Sequence, residues 1–346
     1  MKKIVLTGGG TGGHVMPNIA LLPLLEKHFD EIHYIGSKEG IEKEILAKYP
    51  KIKYHGITTV KFKRSLSLSN LAIPFKLLSG ICQAKKLIKN IQPDVIFSKG
   101  GFVAVPVVLG HGKVSVVAHE SDMTLGLANK LILKRCKVMC CSFEKTAESV
   151  GKKAVHTGSP IREDLLKLTS QIQFSNNKPT LLVTGGSLGA TGLNNGIWKN
   201  FNKLIQKYNI IHLVGKGKLN KDLSHQDYVQ LEQTSEMGKM YNSCDYVISR
   251  AGSNTVFEIM ALNKPSLLIP LPKTESRGDQ LDNAKELQSK GLCNVLYQEN
   301  IDELPVALEN LKRDKDKIVS NLKKQNLSQG NQKIVDIILK NCRRMP

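Results

Sequence analysis

The sequence predicts an α/β protein built from two doubly wound parallel sheets, and three observations lead there. Short β-branched runs without polar alternation recur along the chain, separated by amphipathic stretches of helical length. That is the pattern of parallel strands covered on both faces by crossover helices. At 346 residues the chain exceeds the roughly 250 to 300 residues at which a single core stops growing. The rhythm also starts twice. KIVLTGGGTGGH (3–14) and TLLVTGGSLGATGLN (180–194) share an apolar strand, a Thr-Gly-Gly headed by Thr7 or Thr184, a glycine-rich turn and a helix. The expected organisation is a first domain over 1–160 and a second over 161–331, facing each other across a cleft.

The elements follow in order. IVL (4–6) is the first strand, ended by glycines, and the helix after it is expected over about 17–28 because Pro17 suits a first turn. IHYIG (32–36) is the second apolar run. Residues 70–90 carry apolar side chains at helical spacing with lysines between them, and lead to VIF (95–97), VSVVAH (114–119) and VMCC (138–141). Gly158, Pro160, the polar run 175–177 and Pro179 mark a joint over 157–179. Beyond it lie TLLV (180–183), IIHLVG (210–215), YVIS (246–249) and SLLIP (266–270).

Hydrophobic residues at 41% and charged residues at 23% suit a packed globular chain and exclude a disordered or fibrous one. A formal charge of +20 implies an anionic partner: nucleic acid, an acidic membrane face or a phosphorylated substrate. The excess is densest over 51–100, where ten basic side chains meet one acid, Asp94. The seven cysteines form no Cys-x-x-Cys pair and have no histidine at zinc-finger spacing. They read as buried thiols of a reducing compartment, with a metal site near 136–141 as the remote alternative. The opening lysines run into glycines too soon for a signal peptide, and no apolar run reaches the roughly 18 residues of a spanning helix. The expected compartment is the cytoplasm.

Gly8, Gly10 and Gly13 satisfy G-x-G-x-x-G, so a dinucleotide-dependent oxidoreductase is the rival class. The second strand, however, ends in Gly36-Ser37-Lys38, with only Glu39 to anchor a ribose. Glycines let backbone approach a ligand, and a helix N-terminus offers N–H groups to an anion. His14, directly after them, can remove a hydroxyl proton or stand merely solvated on the first turn. In the second glycine loop Ser187 can donate to a phosphate or act as an N-cap. SRAGSNTVFE (249–258) turns through Gly252 into a helix whose N–H groups at 253–255 suit a diphosphate. Glu258, one turn deeper, can accept both hydroxyls of a ribose or serve a capping box. Asp279 and Gln280 follow on the next loop.

GGTGGH (9–14), SKGGFVAVP (98–106), HESDMTLGLANK (119–130), GSPIRED (158–164), GGSLGA (185–190), SRAGSNTVFE (249–258) and DQLDNA (279–284) occur here in the order seen in another group of proteins. Over nearly its whole length the chain resembles the MurG family, the peptidoglycan N-acetylglucosaminyltransferases. The resemblance implies a GT-B fold of two Rossmann-like domains. It implies inverting transfer of N-acetylglucosamine from UDP-N-acetylglucosamine to the undecaprenyl-diphosphate-linked muramyl pentapeptide (lipid I), giving lipid II, with no cofactor and no metal. The lipid-linked acceptor then belongs to the first domain, to which a helix over about 332–346 returns, and the UDP-sugar to the second. By the same resemblance Thr11, Gly12 and Gly13 meet the donor-sugar side, Arg162 and Ser187 reach UDP, and Ser253, Asn254, Thr255 and Glu258, with Arg250 before them, hold diphosphate and ribose. Gln280 lies against the donor sugar. His14 is the candidate base for the acceptor hydroxyl and Glu120 its rival. Residues 119–122 read His-Glu-Ser-Asp where many relatives have His-Glu-Gln-Asn. The resemblance places Asp122 among the donor-binding residues, where it accepts a bond from a sugar hydroxyl but, ionised, cannot donate one.

The basic window then acquires a role. Leu71, Ile73 and Phe75 interleave with Lys61, Lys63, Arg64 and Lys76, a composition suited to a segment lying on an anionic inner-leaflet surface. A core helix with a solvated charged face fits the same residues. The expectation is a peripheral enzyme on the cytoplasmic face of the cell membrane, with other cell-wall enzymes among its partners. Nucleic acid is not expected, because aromatics at 5% leave few stacking platforms.

Overall fold

The computed structural model describes residues 1–60, 73–167, 170–186, 189–325 and 327–343. The chain divides into two compact units, Met1–Arg162 with Gln329–Pro346, and Glu163–Ser328.

Among the described residues the first unit holds a seven-stranded sheet of β1 (Lys3–Thr7), β2 (Glu31–Ser37), β3 (Ile52–Ile57), β4 (Val95–Ser98), β5 (Ser115–Glu120), β6 (Val138–Cys141) and β7 (Ala154–His156). All pairings are parallel, in the order β3-β2-β1-β4-β5-β6-β7. Between the strands run α1 (Gly12–Leu25), α2 (Ile41–Leu46), α3 (Ile73–Ile91), α4 (Ala104–Leu109), α5 (Leu127–Ile132) and α6 (Glu144–Val150). Successive residues of one strand feed opposite layers. Ile4 and Leu6 pack with Val15, Leu21 and Leu25 of α1, whereas Val5 packs with Ala84 and Ile88 of α3 and Val105 of α4. Burial on both faces explains why these strands show no polar alternation. The helix Gly330–Lys340 adds Ile334, Val335 and Ile338, all fully buried, to the α1 layer.

Among the described residues, 163–328 hold a second, six-stranded parallel sheet. In chain order its elements are α7 (Glu163–Leu166), β8 (Thr180–Thr184), α8 (Thr191–Lys199), α9 (Phe201–Lys207), β9 (Asn209–Leu213), β10 (Tyr228–Leu231), α10 (Met237–Asn242), β11 (Tyr246–Ser249), α11 (Ser253–Ala261), β12 (Ser266–Leu268), α12 (Asp279–Ser289), β13 (Asn294–Val295) and α13 (Leu304–Lys323). The strand order is β10-β9-β8-β11-β12-β13. The Gly330–Lys340 helix of the first unit is α14.

The expected strands are all present, and β3, β7, β10 and β13 are additional. These four sit at or next to a sheet edge and are short or partly exposed, so they lack the continuous apolar run of a central strand. The first helix begins at Gly12, five residues before Pro17, with Thr11 extended as its N-cap (φ −149°, ψ 156°). Pro17 and Pro23 therefore lie inside α1. An interior proline withholds a helical hydrogen bond. The apolar face of α1 (Val15, Ile19, Leu22) offsets that loss by burial in the core. Asp279 and Gln280 open helix α12 instead of lying on a loop.

In each unit the strand order reverses direction once, between β1 and β4 and between β8 and β11. Ligands of doubly wound sheets bind outside the carboxyl ends of the strands at such switch points. Both glycine-rich loops leave from there.

Candidate active site

In the first unit, three loops gather at the carboxyl ends of β1, β4 and β5. Tyr34 donates to the carbonyl of Gly8 (2.6 Å), and Asn18 Nδ2 donates to Tyr34 Oη (3.1 Å) and to the carbonyl of His14 (3.3 Å). The backbone N–H of Gly10 donates to Glu42 Oε2 (3.2 Å), while Glu42 Oε1 accepts from the backbone N–H of Ser37 (2.9 Å) and from Ser37 Oγ. Glu42 is fully buried. Gly10 sits at φ 87° against the ring of Phe102, where a Cβ would collide. Gly101 makes similar room for His14, whose ring atoms lie 3.2 Å from the place a Cβ would take. His14 is on the first turn of α1, half-buried, with Nδ1 3.0 Å from Thr11 Oγ1.

Glu120 ends β5 and is 5% exposed. Its Oε1 accepts from the backbone N–H groups of Ser121 (2.8 Å) and Asp122 (3.1 Å), and Oε2 accepts from the N–H of Gly126 (2.8 Å) and from Asn129 Nδ2 (2.9 Å). Burial, helped by the charge of Asp122, pushes its carboxyl up, and the bonds from Gly126, Asn129 and Asp122 pull it back. Four donors from its own loop occupy this carboxylate. Beneath the same loop Lys99 Nζ lies 2.9 Å from His119 Nδ1 and bonds Ser121 Oγ. Burial lowers the lysine to about 8 against the raising fields of Glu120 and Asp122. His119, fully buried, is held well below its ordinary pKa by burial and by the charge of Lys99. Arg162 closes the unit on a segment that Asn331 of α14 straps down, accepting from Ile161 N (2.8 Å) and donating to Ile161 O (2.7 Å).

In the second unit α11 starts directly after Gly252, which is extended (φ −66°, ψ 131°). Ser253, Asn254 and Thr255 form the first turn, so their backbone N–H groups are those no helical carbonyl can reach. Glu258 is the sixth helical residue. A capping box needs its acid at the third, so that reading is removed by register. Tyr241 Oη lies 3.5 Å from Glu258 Oε2. Asn283 of α12 donates to the carbonyl of Ala251 (3.1 Å) and fixes the turn from behind. Arg250, expected to hold ligand, instead points into the fold. It is 4% exposed, and its guanidinium donates to the carbonyls of Ile269 (3.0 Å) and Pro270 (3.4 Å) and to Gln298 Oε1. Gln280 Oε1 accepts from the N–H of Leu271 (3.1 Å), tying α12 to the end of the β12 segment.

Ser187, Lys61, Lys63, Arg64 and Leu71 lie outside the described residues. Ile73, Phe75 and Lys76 open α3, which buries Gly80, Ala84, Ile88 and Ile91 along one stripe. Phe75 (76%) and Leu78 (59%) remain exposed beside Lys76. The helix thus packs as a core helix and still carries large apolar side chains outside. Among the described residues no helix is long and apolar enough to cross a membrane.

Sequence reading missed Glu42, Phe102, Asn283 and Gln298. Glu42 sits in an acidic stretch that looks solvated and Gln298 in a short 3-10 segment, while Phe102 and Asn283 lay inside quoted motifs without being singled out.

The family 28 glycosyltransferase N-terminal domain matches residues 4–140, and the C-terminal domain of the same family matches residues 180–338. A UDP-N-acetylglucosamine–N-acetylmuramyl-(pentapeptide) pyrophosphoryl-undecaprenol N-acetylglucosamine transferase from Clostridium tetani is 46% identical, covering 98% of each chain. The protein of that description from Lachnospira eligens is 45% identical, over 99% of this chain and all of its own. Among solved structures, MurG of Acinetobacter baumannii superposes with a TM-score of 0.76 at 25% identity over 98% of this chain and 100% of its own. The glycotransferase of kitacinnamycin, at 11% identity and a TM-score of 0.77 over 99% of each chain, shares the fold. The two sheets are the GT-B arrangement, and the chain belongs to glycosyltransferase family 28, within its UDP-N-acetylglucosamine–N-acetylmuramyl-(pentapeptide) pyrophosphoryl-undecaprenol N-acetylglucosamine transferases.

Proposed function

We propose that this protein is an inverting glycosyltransferase that moves N-acetylglucosamine from UDP-N-acetylglucosamine to undecaprenyl-diphosphate-linked muramyl pentapeptide, forming lipid II. The observation that carries the site assignment is a pair of open glycines. At Gly12 and Gly252, each at the start of a switch-point helix, an added Cβ would meet nothing within 4 Å, so internal packing demands neither glycine. A ligand approaching the backbone does.

The donor diphosphate lies on the N–H groups of 253–255, and the ribose hydroxyls donate to Glu258. As the bond from the anomeric carbon to the diphosphate breaks, the charge left on UDP develops against the positive end of α11. Ser187, Arg162 and Gln280 complete the donor contacts, with Thr11, Gly12 and Gly13 on the sugar side. Arg250 acts through position, by holding 269–270. Nδ1 of His14 lies 3.0 Å from Thr11 Oγ1, and the tautomer that serves as base is the one that donates Nδ1–H to this hydroxyl and carries its lone pair on Nε2. That nitrogen takes the acceptor hydroxyl's proton while the hydroxyl oxygen bonds the anomeric carbon on the face opposite the departing UDP, so configuration inverts. Glu120, committed to four loop donors, shapes the loop that carries Asp122. The protein sits peripherally on the cytoplasmic membrane face, with the start of α3 and the 61–71 segment on anionic lipid.

The test is transfer to a lipid I analogue with and without EDTA, alongside thermal shifts with UDP and with NAD. Product formation unaffected by EDTA and stabilisation by UDP alone are expected. Stabilisation by NAD without any by UDP sinks this reading in favour of an oxidoreductase. His14→Ala should lower turnover by roughly 10²- to 10⁴-fold with the UDP shift intact. A loss confined to UDP binding makes His14 a binding residue.

A further inference from the structure

His212 of β9 is fully buried, and the transfer reaction as described gives it no task. Burial takes its pKa down to about 3, so the ring is neutral. Both its nitrogens belong to one chain of hydrogen bonds whose direction is fixed at either end. At one end the indole N–H of Trp198, which can only donate, reaches Tyr228 Oη (3.0 Å), and that oxygen lies 2.9 Å from His212 Nδ1. At the other end Asn194 Nδ2 donates to the carbonyl of Val214 (2.8 Å), and Asn194 Oδ1 lies 3.1 Å from His212 Nε2. An amide oxygen only accepts, so Nε2 carries the ring proton and Nδ1 accepts from the Tyr228 hydroxyl.

The chain of bonds ends at the second glycine loop. Asn194 is the fourth residue of α8, and its backbone N–H closes the first turn on the carbonyl of Ala190 (2.8 Å). The Val214 carbonyl that takes the Asn194 amide is also the group against which Gly189 rests, since a Cβ on Gly189 would collide with that oxygen. One side chain therefore ties the start of α8 to the atom that backs the loop. That side chain is oriented by His212. A buried polar chain with every bond made admits one arrangement and resists others.

We propose that His212 is a positioning residue for the donor: through the Nε2–H that it gives to Asn194, it holds α8 and the 185–190 loop in the register that UDP requires. The proposal rests on the reading of that loop, with its Ser187, as part of the donor site.

Two amide substitutions separate this role from packing. An asparagine amide reaches only to the place of the imidazole Nδ1, so His212→Asn keeps an acceptor for Tyr228 and loses the donor to Asn194. A glutamine puts its NH₂ at the place of Nε2, so His212→Gln keeps that donor. His212→Asn should bind UDP about tenfold more weakly in calorimetry, because the Asn194 oxygen is left buried without a donor. Its KM for UDP-N-acetylglucosamine should rise by a similar factor with kcat within about threefold of wild type, and His212→Gln should stay within about threefold in all three quantities. Equal UDP affinities in the two variants, or a loss that falls on kcat and spares the donor KM, overturns the proposal. If His212→Asn fails to fold, Asn194→Ala breaks the same bond from the other side: a loss of UDP affinity of about tenfold supports the proposal, and wild-type affinity overturns it. A wild-type protein that binds no UDP overturns the donor-site reading and the proposal with it, whereas wild-type UDP binding that both His212 variants retain overturns the proposal alone.

Discussion

Removing Glu42 tests whether the glycine loop is held from below or shaped only by its own glycines. The carboxylate is fully buried and takes the N–H of Ser37, the hydroxyl of Ser37 and the N–H of Gly10. In Glu42→Ala the hydroxyl can turn elsewhere, but two backbone N–H groups lose their acceptor. A buried donor left unsatisfied costs about 1 to 3 kcal/mol, and Gly10, which is only partly buried, falls near the lower end. The sum is about 2 to 4 kcal/mol, below the roughly 5 to 15 kcal/mol by which domains are stable, so the variant should fold at 25 °C with a lowered melting point. Activity should fall further than stability accounts for. His14 sits on the helix this loop leads into, and misplacing a catalytic group by about 1 Å costs on the order of 10²-fold. Glu42→Gln separates the two effects. Its amide oxygen can keep both Ser37 donors, but its NH₂ then faces the Gly10 N–H, so the melting point should largely recover and the turnover should not. The assay is denaturant unfolding beside transfer kinetics under conditions where each variant is fully folded. Wild-type turnover in folded Glu42→Ala would refute the idea that this carboxylate positions the loop.

Glu258→Gln should weaken UDP binding about tenfold or more, the worth of a charge-assisted bond at roughly 1.5 kcal/mol or above, read by calorimetry. Unchanged affinity would place the ribose elsewhere. Phe75→Ser with Lys76→Glu should reduce binding to anionic vesicles on the order of 10²-fold and spare transfer to a short soluble acceptor, since a buried aromatic contributes about 2 kcal/mol and a lysine about 1 near a charged surface. Vesicle binding that survives the change moves the docking surface off α3. His33 and His55, stacked and 2.9 Å apart through Nδ1 and Nε2, are both held below their ordinary 6.5, chiefly by burial. The unfolded chain then binds more protons, so stability should fall as pH drops below about 6.5, until the folded-state values are passed. His55→Gln should flatten that slope in thermal melts, and an unchanged slope assigns it to other groups.

How much was legible in the sequence follows from where each signal resides. Central strands such as β1, β4, β5, β8 and β11 are buried on both faces, so each is a continuous apolar run that any reader of the chain can see. The glycine turns repeat at the two switch points because the backbone itself must be bare there. β3 and β10 carry polar residues at sheet edges, and α1 begins before its proline, because packing against the core overrides a local preference.

Side-chain fates were set elsewhere. Glu42 carries no signal in the sequence, Arg250 reads as a ligand contact and Glu120 as the rival to His14 as base; in the fold one is buried under Gly10, one spans 19 residues to Ile269, and one accepts four bonds from its own loop. A polar residue reveals its type in the sequence, but its burial and its partner depend on segments brought together from 22 residues away, as for Lys99 and Ser121, or 170, as for Ile161 and Asn331. Apolar burial leaves a continuous trace along one strand because many neighbours share it. A hydrogen bond is made by one donor and one acceptor, and only the folded chain decides which two meet.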